Sequence, residues 1–588
     1  MRMSDDGGVN EGWSEKSVRG GLSIQKKSCR QGLIDNQLTT IIIDEVFRPS
    51  KLCRRARYHL KPSNNLKQHT MSVPHDYEDP HDGEEEEAQM LDAEEMGEEI
   101  DDDGDAAMDS GDEDEAEGED DQVMEEITLQ NDSSAHFDLH KDSIFAIAQH
   151  PLHPNIVATG GSDGDEEKAP GTGYIFDSTP PNAPVLPASY QSAPNEAVER
   201  KGLEAIFSLE GHTDSINCLA FTLPAGEVLL SGGLDGKLRA YAPKDARKPE
   251  GAWRFIHEVQ EVEEINWLSP CPNPDSPNTV ALGANDGSVW VYTLDKKSKD
   301  APLQILQSYF LHTESCTAGS WSADGKLLAT VSEDGSLYVW DVFGEGAAAG
   351  LTQGEGGAYV VGLTSLDQRF AVEGGLFSVG IAPNGGYVAV GGAGGSIKIV
   401  GLPRLGSAAS GSAPAGRGGA GAASKSKGGK QVGGKATGAG ASAGQAGVIL
   451  ADLQAQGDGI ETLAFAPLPL TLLAAGSVDG SIALFDSAHR FATRRHIKEA
   501  HEDFSVVKVE FVKSGGGWLL TSCGMDGVVR RWDTRGGTAM ANSGFVKEWK
   551  GHRGDGEGGG VMGFVQGDGG RIVTAGDDGV SLVFDSPV

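Results

Sequence analysis

An Asp-Gly pair followed by a short strand that ends in an aromatic residue recurs seven times along this chain. The pairs begin at Asp163, Asp235, Asp286, Asp334, Asp479, Asp526 and Asp578. Where nothing interrupts the pattern, successive pairs lie about 50 residues apart, which is the length of one four-stranded propeller blade. An Asp-Gly pair favours a tight turn because its glycine tolerates positive φ. The repeat therefore predicts one all-β propeller, where 588 residues would otherwise suggest several domains.

A weaker eighth copy spans Val388–Val400, so we expect eight blades within residues 127–588. In the last copy, Val580–Asp585 has the pattern of a third strand, and three residues follow it. A fourth strand must come from elsewhere, since the blade would otherwise keep an open edge. We expect Glu126–Gln130, with Ile127–Leu129 at its centre, to supply that strand and close the ring.

Two intervals between repeats are longer than the others and indicate inserts. One runs from about Asp165 to Ala205 and is rich in Pro and Ala. The other, residues 403–447, is rich in Gly, Ala, Ser and Lys and carries six basic residues and no acidic one. This composition predicts a flexible, positively charged, low-complexity loop.

The region before the repeats divides into two parts. Residues 1–70 have mixed charge and no period, and our hypothesis is that Met71 is the natural start and 1–70 an extension. Residues 71–126 are acidic: 28 Asp and Glu lie between Asp76 and Glu126, with no Lys or Arg. Such a segment buries too little apolar surface to offset its ordering entropy, which predicts a disordered tail.

Charge and motifs exclude several classes of function. The formal net charge of −39 repels nucleic acid and anionic membranes and favours a basic protein partner. The six Cys form no Cys-x-x-Cys pair, which indicates reduced thiols in an intracellular protein and no zinc site. Gly429–Ala436 approaches a phosphate-binding loop, but Ala436 replaces the hydroxyl that would hold Mg²⁺. We therefore expect no cofactor, no metal, no catalytic residues and no membrane segment.

A histidine recurs before the first strand of several repeats, at His140, His212, His312, His501 and His552. In a WD40 blade this residue forms hydrogen bonds toward the turn Asp, through a strand hydroxyl and a Trp indole, rather than binding a metal. The predicted networks comprise His312, Thr330 or Ser332, Asp334 and Trp340 in blade four, and His501, Thr521 or Ser522, Asp526 and Trp532 in blade seven.

An acidic residue recurs two positions after this histidine or its equivalent, and the recurrence predicts an acidic ring on one rim. The candidate client-binding residues are Asp142, Asp214, Glu263 with its neighbour Glu264, Glu314, Glu373, Asp458 and Asp503, followed by Asp555. The alternative is that these acids only form turns, which is common at this position. The acidity of the tail and of the repeats together leaves a binding role open.

The order of the tail and the first repeats resembles a known family. The residues that carry the resemblance are Phe137-Asp138-Leu139-His140-Lys141-Asp142-Ser143, His150-Pro151, Ala158-Thr159-Gly160-Gly161-Ser162-Asp163 and Leu209-Glu210-Gly211-His212-Thr213-Asp214. They resemble the WD-repeat angio-associated migratory cell protein family, which includes the fungal dedicated chaperone of a large-subunit ribosomal protein of the universal L-sixteen type. The resemblance covers roughly residues 71–588, while residues 1–70 and both inserts depart from it.

The resemblance implies a non-catalytic, monomeric chaperone in the cytoplasm, with the nucleus as a second compartment. It would capture a nascent, basic ribosomal protein, prevent wrong contacts with RNA, and support assembly of the 60S subunit. The steering would be electrostatic and sensitive to salt. Two alternatives fit the same charge: a WD-repeat scaffold in signalling or cell migration, and a histone-binding WD protein.

Overall fold

The computed structural model describes residues 130–164, 169–180, 202–296, 298, 300–405, 445–536, 541–554 and 558–586. The extension 1–70, the predicted disordered tail 71–126, the segment Ile127–Leu129, most of the 403–447 insert and Asp555 lie outside these residues.

The described strands form eight antiparallel sheets of four strands each, which are the eight predicted blades. The innermost strands are β2 (Ile144–Gln149), β6 (Ile216–Phe221), β10 (Ile265–Pro270), β14 (Cys316–Trp321), β18 (Leu376–Ile381), β22 (Ile460–Phe465), β26 (Val506–Phe511) and β30 (Val561–Val565). The second strands are β3 (Ile156–Ser162), β7 (Leu229–Gly233), β11 (Thr279–Ala284), β15 (Leu327–Ser332), β19 (Tyr387–Gly392), β23 (Leu472–Ser477), β27 (Leu519–Gly524) and β31 (Arg571–Gly576).

The third and outermost strands complete each blade. The third strands are β4 (Gly171–Asp177), β8 (Lys237–Pro243), β12 (Val289–Leu294), β16 (Leu337–Asp341), β20 (Ser396–Gly401), β24 (Ile482–Asp486), β28 (Val529–Asp533) and β32 (Ser581–Asp585). The outermost strands are β5 (Ala205–Leu209), β9 (Trp253–Gln260), β13 (Leu303–Tyr309), β17 (Tyr359–Leu363), β21 (Ile449–Gln454), β25 (Ala492–Ile497), β29 (Phe545–Trp549) and, for the last blade, β1 (Ala135–Phe137).

The ring closes between its two ends. Each innermost strand lies beside that of the next blade, and β30 lies beside β2. In the last blade β1 pairs with β32, with Ala135 opposite Val583 and Phe137 opposite Ser581. The prediction that an N-terminal strand completes the last blade is therefore confirmed.

The predicted position of that strand was wrong. The closing strand is Ala135–Phe137, further along the chain than Ile127–Leu129. Its Phe137 packs against the first blade: the side chain is fully buried and stacks on Phe176 with ring centroids 4.4 Å apart. The weak eighth repeat at Val388–Val400 does form a blade, as β19 and β20.

The strands of a blade alternate in direction, so its connections emerge at two faces. The connections from an outermost strand into the next innermost strand, and those from second to third strands, share one face, here called the entry face. At Gly236 the second-to-third turn of blade two lies against the carbonyls of Val262 and Glu263, which leaves no room for a side chain. The positive φ of 73° at Gly236 also favours glycine.

The apolar core lies between neighbouring blades. One cluster joins Val331 and Val339 of blade four to Leu376 and Val390 of blade five, all fully buried. Since Gly171–Asp177 is a regular third strand, the first insert begins after it, and the predicted start near Asp165 was wrong.

Helical segments are short in the described part of the chain. There is one α-helical turn, α1 (Glu345–Ala348), and single 3-10 turns at Glu355–Gly357, Ala393–Gly395, Ser487–His489, Gly515–Gly517 and Ala541–Gly544. Among these residues no helix is long and apolar enough to cross a membrane.

Candidate functional site

A chain of hydrogen bonds fixes the entry face in the blades that carry Trp. In blade seven Trp532 Nε1 donates to Ser522 Oγ at 2.9 Å, and His501 Nε2 lies 2.7 Å from the same hydroxyl. His501 Nδ1 lies 2.9 Å from Asp526 Oδ1. The indole N–H can only donate, so the Ser522 hydroxyl accepts from it and donates its own O–H to Nε2 of His501. Nδ1 of His501 then carries the hydrogen and donates to the Asp526 carboxylate. Four residues from three segments are thereby held in one arrangement.

Blade four has the same chain with one change. Trp340 Nε1 donates to Thr330 Oγ1 at 2.8 Å, and His312 Nε2 lies 2.8 Å from this oxygen. His312 Nδ1 instead meets Ser336 Oγ at 2.6 Å, while Asp334 Oδ1 is 4.0 Å away. Asp334 accepts from the Thr313 amide at 2.7 Å, so it still anchors the connection that carries the next acid.

The histidine position tolerates another residue that makes the same contact. In blade six Gln456 is buried there, and its Nε2 donates to Ser481 Oγ at 3.0 Å. No sequence rule had singled out Gln456, although its offset of two residues from Asp458 was a usable signal. In blade six an uncharged amide thus takes the place of the imidazole, whereas in blades three and five the equivalent residues, Glu261 and Ala371, are exposed.

Burial keeps three of these histidines, His140, His312 and His501, neutral. Desolvation lowers the pKa of His312 to about 4, against the opposing pull of the Asp334 carboxylate. Burial also lowers the pKa of His140 to about 4 and that of His501. In blade two burial alone would raise the pKa of Asp235, but hydrogen bonds from His212 and from the Thr213 amide lower it to about 2. Beside the neutral imidazoles of His312 and His501, burial alone would also raise the pKa values of Asp334 and Asp526, but hydrogen bonds that the carboxylates accept lower them.

All the candidate acids that the structure describes lie on the entry face. They occupy seven consecutive connections that lead into the innermost strands of blades one to seven: Asp142, Asp214, Glu263 and Glu264, Glu314, Glu373, Asp458 and Asp503. The eighth connection contains Asp555, which lies outside the described residues.

These acids differ in exposure and in their contacts. Asp214 accepts from the Ser215 amide at 2.8 Å, and Asp458 accepts from the Gly459 amide at 2.7 Å. Both side chains are half-buried and form their own turns. Glu263, Glu314 and Glu373 are exposed, as is Asp503, and within the described part of the chain their carboxylates have no hydrogen bond or ion pair. This second group is free to meet a partner.

Lys and Arg side chains pair with some of the acids on this face. Lys141 pairs with Asp163 at 3.0 Å, and Arg530 pairs with Asp526 in blade seven. Lys237 lies 3.7 Å from Asp235. In the connection into blade five, Arg369 pairs with Asp367 at 2.7 Å. The exposed acids Glu263, Glu314, Glu373 and Asp503 have no such partner among the described residues.

The two faces differ strongly in charge. The described connections of the entry face contain 23 acidic and 5 basic residues, whereas those of the opposite face contain 11 and 9. Sequence reasoning found one or two acids for each connection and missed others on this face, such as Glu261, Glu333 and Glu502. The sequence could have identified them, because Glu333 precedes an Asp-Gly turn, Glu261 stands at the histidine position and Glu502 follows His501.

The arrangement suits the binding of an extended basic segment. Exposed carboxylates in consecutive connections present a curved row of negative charge to a chain lying across the face. Among the described residues no group of three or more His, Cys, Asp or Glu could hold a metal ion.

Comparison with known proteins gives the same architecture. The description "WD domain, G-beta repeat" matches residues 203–241 and 303–341. The chain is 27% identical to the ribosome assembly protein SQT1 of Saccharomyces cerevisiae over 81% of this chain and 91% of that protein. It is 22% identical to the human angio-associated migratory cell protein over 77% and 80%.

A solved structure extends the likeness to a complex. The crystal structure of Chaetomium thermophilum Sqt1 bound to the N-terminus of the ribosomal protein L10 is 55% identical to this chain. The match covers 78% of this chain and all of that one, with a TM-score of 0.64.

Proposed function

This chain belongs to the WD-repeat family of Sqt1 and the angio-associated migratory cell proteins, and from that we propose that it is a dedicated chaperone of a basic ribosomal protein. Its client would be the N-terminal segment of ribosomal protein L10, the segment bound to the Chaetomium relative. The observation that carries the proposal is the concentration of unpaired carboxylates on the entry face.

The chemistry of the face explains what such a chaperone would do. A segment built to contact RNA is rich in Lys and Arg, and before assembly it binds other polyanions without discrimination. Carboxylates in consecutive connections offer this segment substitute partners and exclude RNA by like-charge repulsion. The client is protected while it is bound and is released when ribosomal RNA competes for the same cations.

The negative potential also accelerates capture. Complementary charge raises association rates above those of neutral partners and makes them fall with ionic strength. A nascent chain that emerges in the cytoplasm would therefore be met early. We include in the proposal that the chain acts by binding alone, as a monomer, in support of 60S assembly.

The test is a comparison of two peptides of equal net charge. The L10 N-terminal segment and a histone tail peptide are titrated into the full chain at low and at high salt. The proposal expects tight, salt-sensitive binding of the L10 segment and weaker binding of the histone peptide. Equal or tighter binding of the histone peptide would favour a histone-binding protein instead. Mass spectrometry of the partners purified with the native protein would decide between these clients in the cell.

A further inference from the structure

Two neighbouring exposed apolar side chains lie within one connection of the acidic ring, whereas Leu139 and Leu366 are exposed singly in other connections of this face. Phe310 and Leu311 belong to the connection that carries Glu314, and they are 64% and 44% exposed. The edge of the Phe310 ring meets Trp290 with centroids 5.5 Å apart and an interplanar angle of 88°. We call Phe310, Leu311 and the exposed part of Trp290 the apolar patch.

The fold does not require an apolar residue at the position of Phe310. In the other repeats that carry the histidine, the residue two positions before it is charged: Asp138, Glu210, Glu499 and Lys550. The residue immediately before the histidine varies and includes Gly211, Gly551, Ala500 and Leu139. Phe310 stands where its four counterparts are charged, so its ring is not there to build the blade. Exposed apolar groups that folding does not require are a signature of binding sites.

The patch is continuous with the acidic connections. Glu314 follows it in the same connection and is exposed. The turn residue Gly287 of blade three lies against the carbonyls of His312 and Glu314, which places Asp286 beside the same connection. Ile305 and Leu306, 48% and 39% exposed, lie on the outermost strand β13, which leads into this connection. A segment that lies across the acids of blades three and four therefore passes beside the patch.

From this juxtaposition we propose that the apolar patch binds an apolar side chain, best an aromatic one, of the same basic segment that the entry face captures. The inference rests on the proposed function and makes it more specific. Carboxylates alone do not distinguish one basic segment from another, because charge attraction is not directional. An aromatic ring seated against Phe310 and Trp290 would fix the register of the segment and select clients that carry such a residue. The client class is thus a basic segment interrupted by aromatic residues.

The experiment uses two peptides and the full chain. One peptide is arginine-rich and contains phenylalanine, and the other has the same length and charge with serine in place of each phenylalanine. Fluorescence anisotropy gives their Kd values at low and high salt. Wild type should prefer the phenylalanine peptide by about tenfold, as expected for one buried aromatic anchor. The preference should persist at high salt, because salt screens only the charged contacts.

Two variants test whether the preference for the phenylalanine peptide comes from the apolar patch. The double variant Phe310→Ser, Leu311→Gly should bind both peptides equally while still binding the serine peptide as wild type does. Leu152→Ser is the matched control, since Leu152 is 63% exposed and lies on the opposite face. It should leave the preference unchanged. Thermal melting monitored by circular dichroism should show that both variants are folded.

Each other result overturns the inference in a distinguishable way. Equal Kd values of wild type for the two peptides would refute the apolar anchor and leave the proposed function standing. No binding of either peptide at low salt would refute both. A dimer of wild type that the double variant converts to a monomer would show that a second copy of this chain covers the patch.

Discussion

A single hydroxyl group links tryptophan and histidine in blades four and seven. The sequence allowed Thr330 or Ser332 in blade four, because both point to the same side of their strand. Trp340 pairs with Leu328, so Thr330 is the nearest residue along β15 on that side, and Ser332 lies too far away. Ser332 Oγ donates to the Glu314 carbonyl instead. Residue types were thus predictable from the repeat, but the choice between equivalents depends on the register of pairing.

Replacing this hydroxyl with a methyl group tests the network with almost no change in the shape of the side chain. Thr330→Val removes the partner of two buried groups, Trp340 Nε1 and His312 Nε2. Each buried polar group left without a partner costs about 1–3 kcal/mol, so the free energy of unfolding should fall by about 2–4 kcal/mol. Urea unfolding measures the change. Thr493→Val, at an exposed position of β25, is the control and should change it by less than about 0.5 kcal/mol.

Protonation of the buried histidines should destabilise the fold in acid. The pKa of His312 is about 4 when folded and about 6.5 in the unfolded chain. Between pH 4 and pH 6.5 only the unfolded chain takes up the proton. The contribution of this group to the free energy of unfolding is therefore fully present above pH 6.5, and it falls toward pH 4 by up to about 3 kcal/mol. His312→Gln places at this position the residue that blade six has at Gln456, and it removes the titrating imidazole. Its stability should fall less steeply than that of wild type below pH 6.5, and equal slopes would contradict the assignment.

Among the elements, the closing strand is the one whose position could not be predicted from the sequence. Alternating polarity and Asp-Gly turns are local signals, and they located the blades and the third strand of the last one. The partner of that strand lies at the other end of the chain, and its identity depends on packing between blades. Ala135–Phe137 has no stronger strand pattern than Ile127–Leu129, but Phe137 stacks on Phe176 and has the latter's blade to pack against.

This strand should therefore be essential although it is three residues long. Phe137→Ala removes a fully buried ring at the closure and should lower the free energy of unfolding by about 3–5 kcal/mol. Leu139→Ala is the control, because Leu139 lies two residues away and is 46% exposed. Thermal unfolding should show a large fall in Tm for the first variant and little change for the second. Similar Tm values would mean that the ring is held closed by other contacts.

At the scale of the whole molecule, the entry face is far more acidic than the opposite face. The sequence predicted the acids of the entry face from their offset of two residues to the histidine or its equivalent. It could not separate Asp214 and Asp458, which hydrogen-bond within their own turns, from the exposed Glu263, Glu314 and Glu373. That distinction depends on backbone geometry in each connection. The role of all these acids in binding stays a prediction.

The acidic tail should affect capture more than folding. Residues 71–125 offer little apolar surface to pack, so their deletion should leave the Tm of the propeller nearly unchanged. Removing their charge should slow association with a basic client more than it accelerates dissociation. Stopped-flow association at several salt concentrations measures this, and the difference from the full chain should vanish at high salt. A large fall in Tm would show that the tail is part of the fold.

The central claim is that exposed acids of the entry face bind a basic client, and charge reversal tests it most directly. Glu263, Glu314 and Glu373 are all changed to Lys, while Asp214 is kept because its carboxylate accepts the Ser215 amide. The control reverses Glu250, Asp275 and Asp300, which are exposed on the opposite face and give the same change in net charge. Calorimetric titration with the L10 N-terminal segment at low salt gives the Kd of each protein.

Each reversal removes an attractive pair and creates a repulsive one, so the first variant should lose on the order of 2–4 kcal/mol of binding free energy. The control should lose much less, and the gap between the two should narrow as salt rises. Equal binding by wild type and the entry-face variant at low salt would contradict the account, and so would equal losses in both variants.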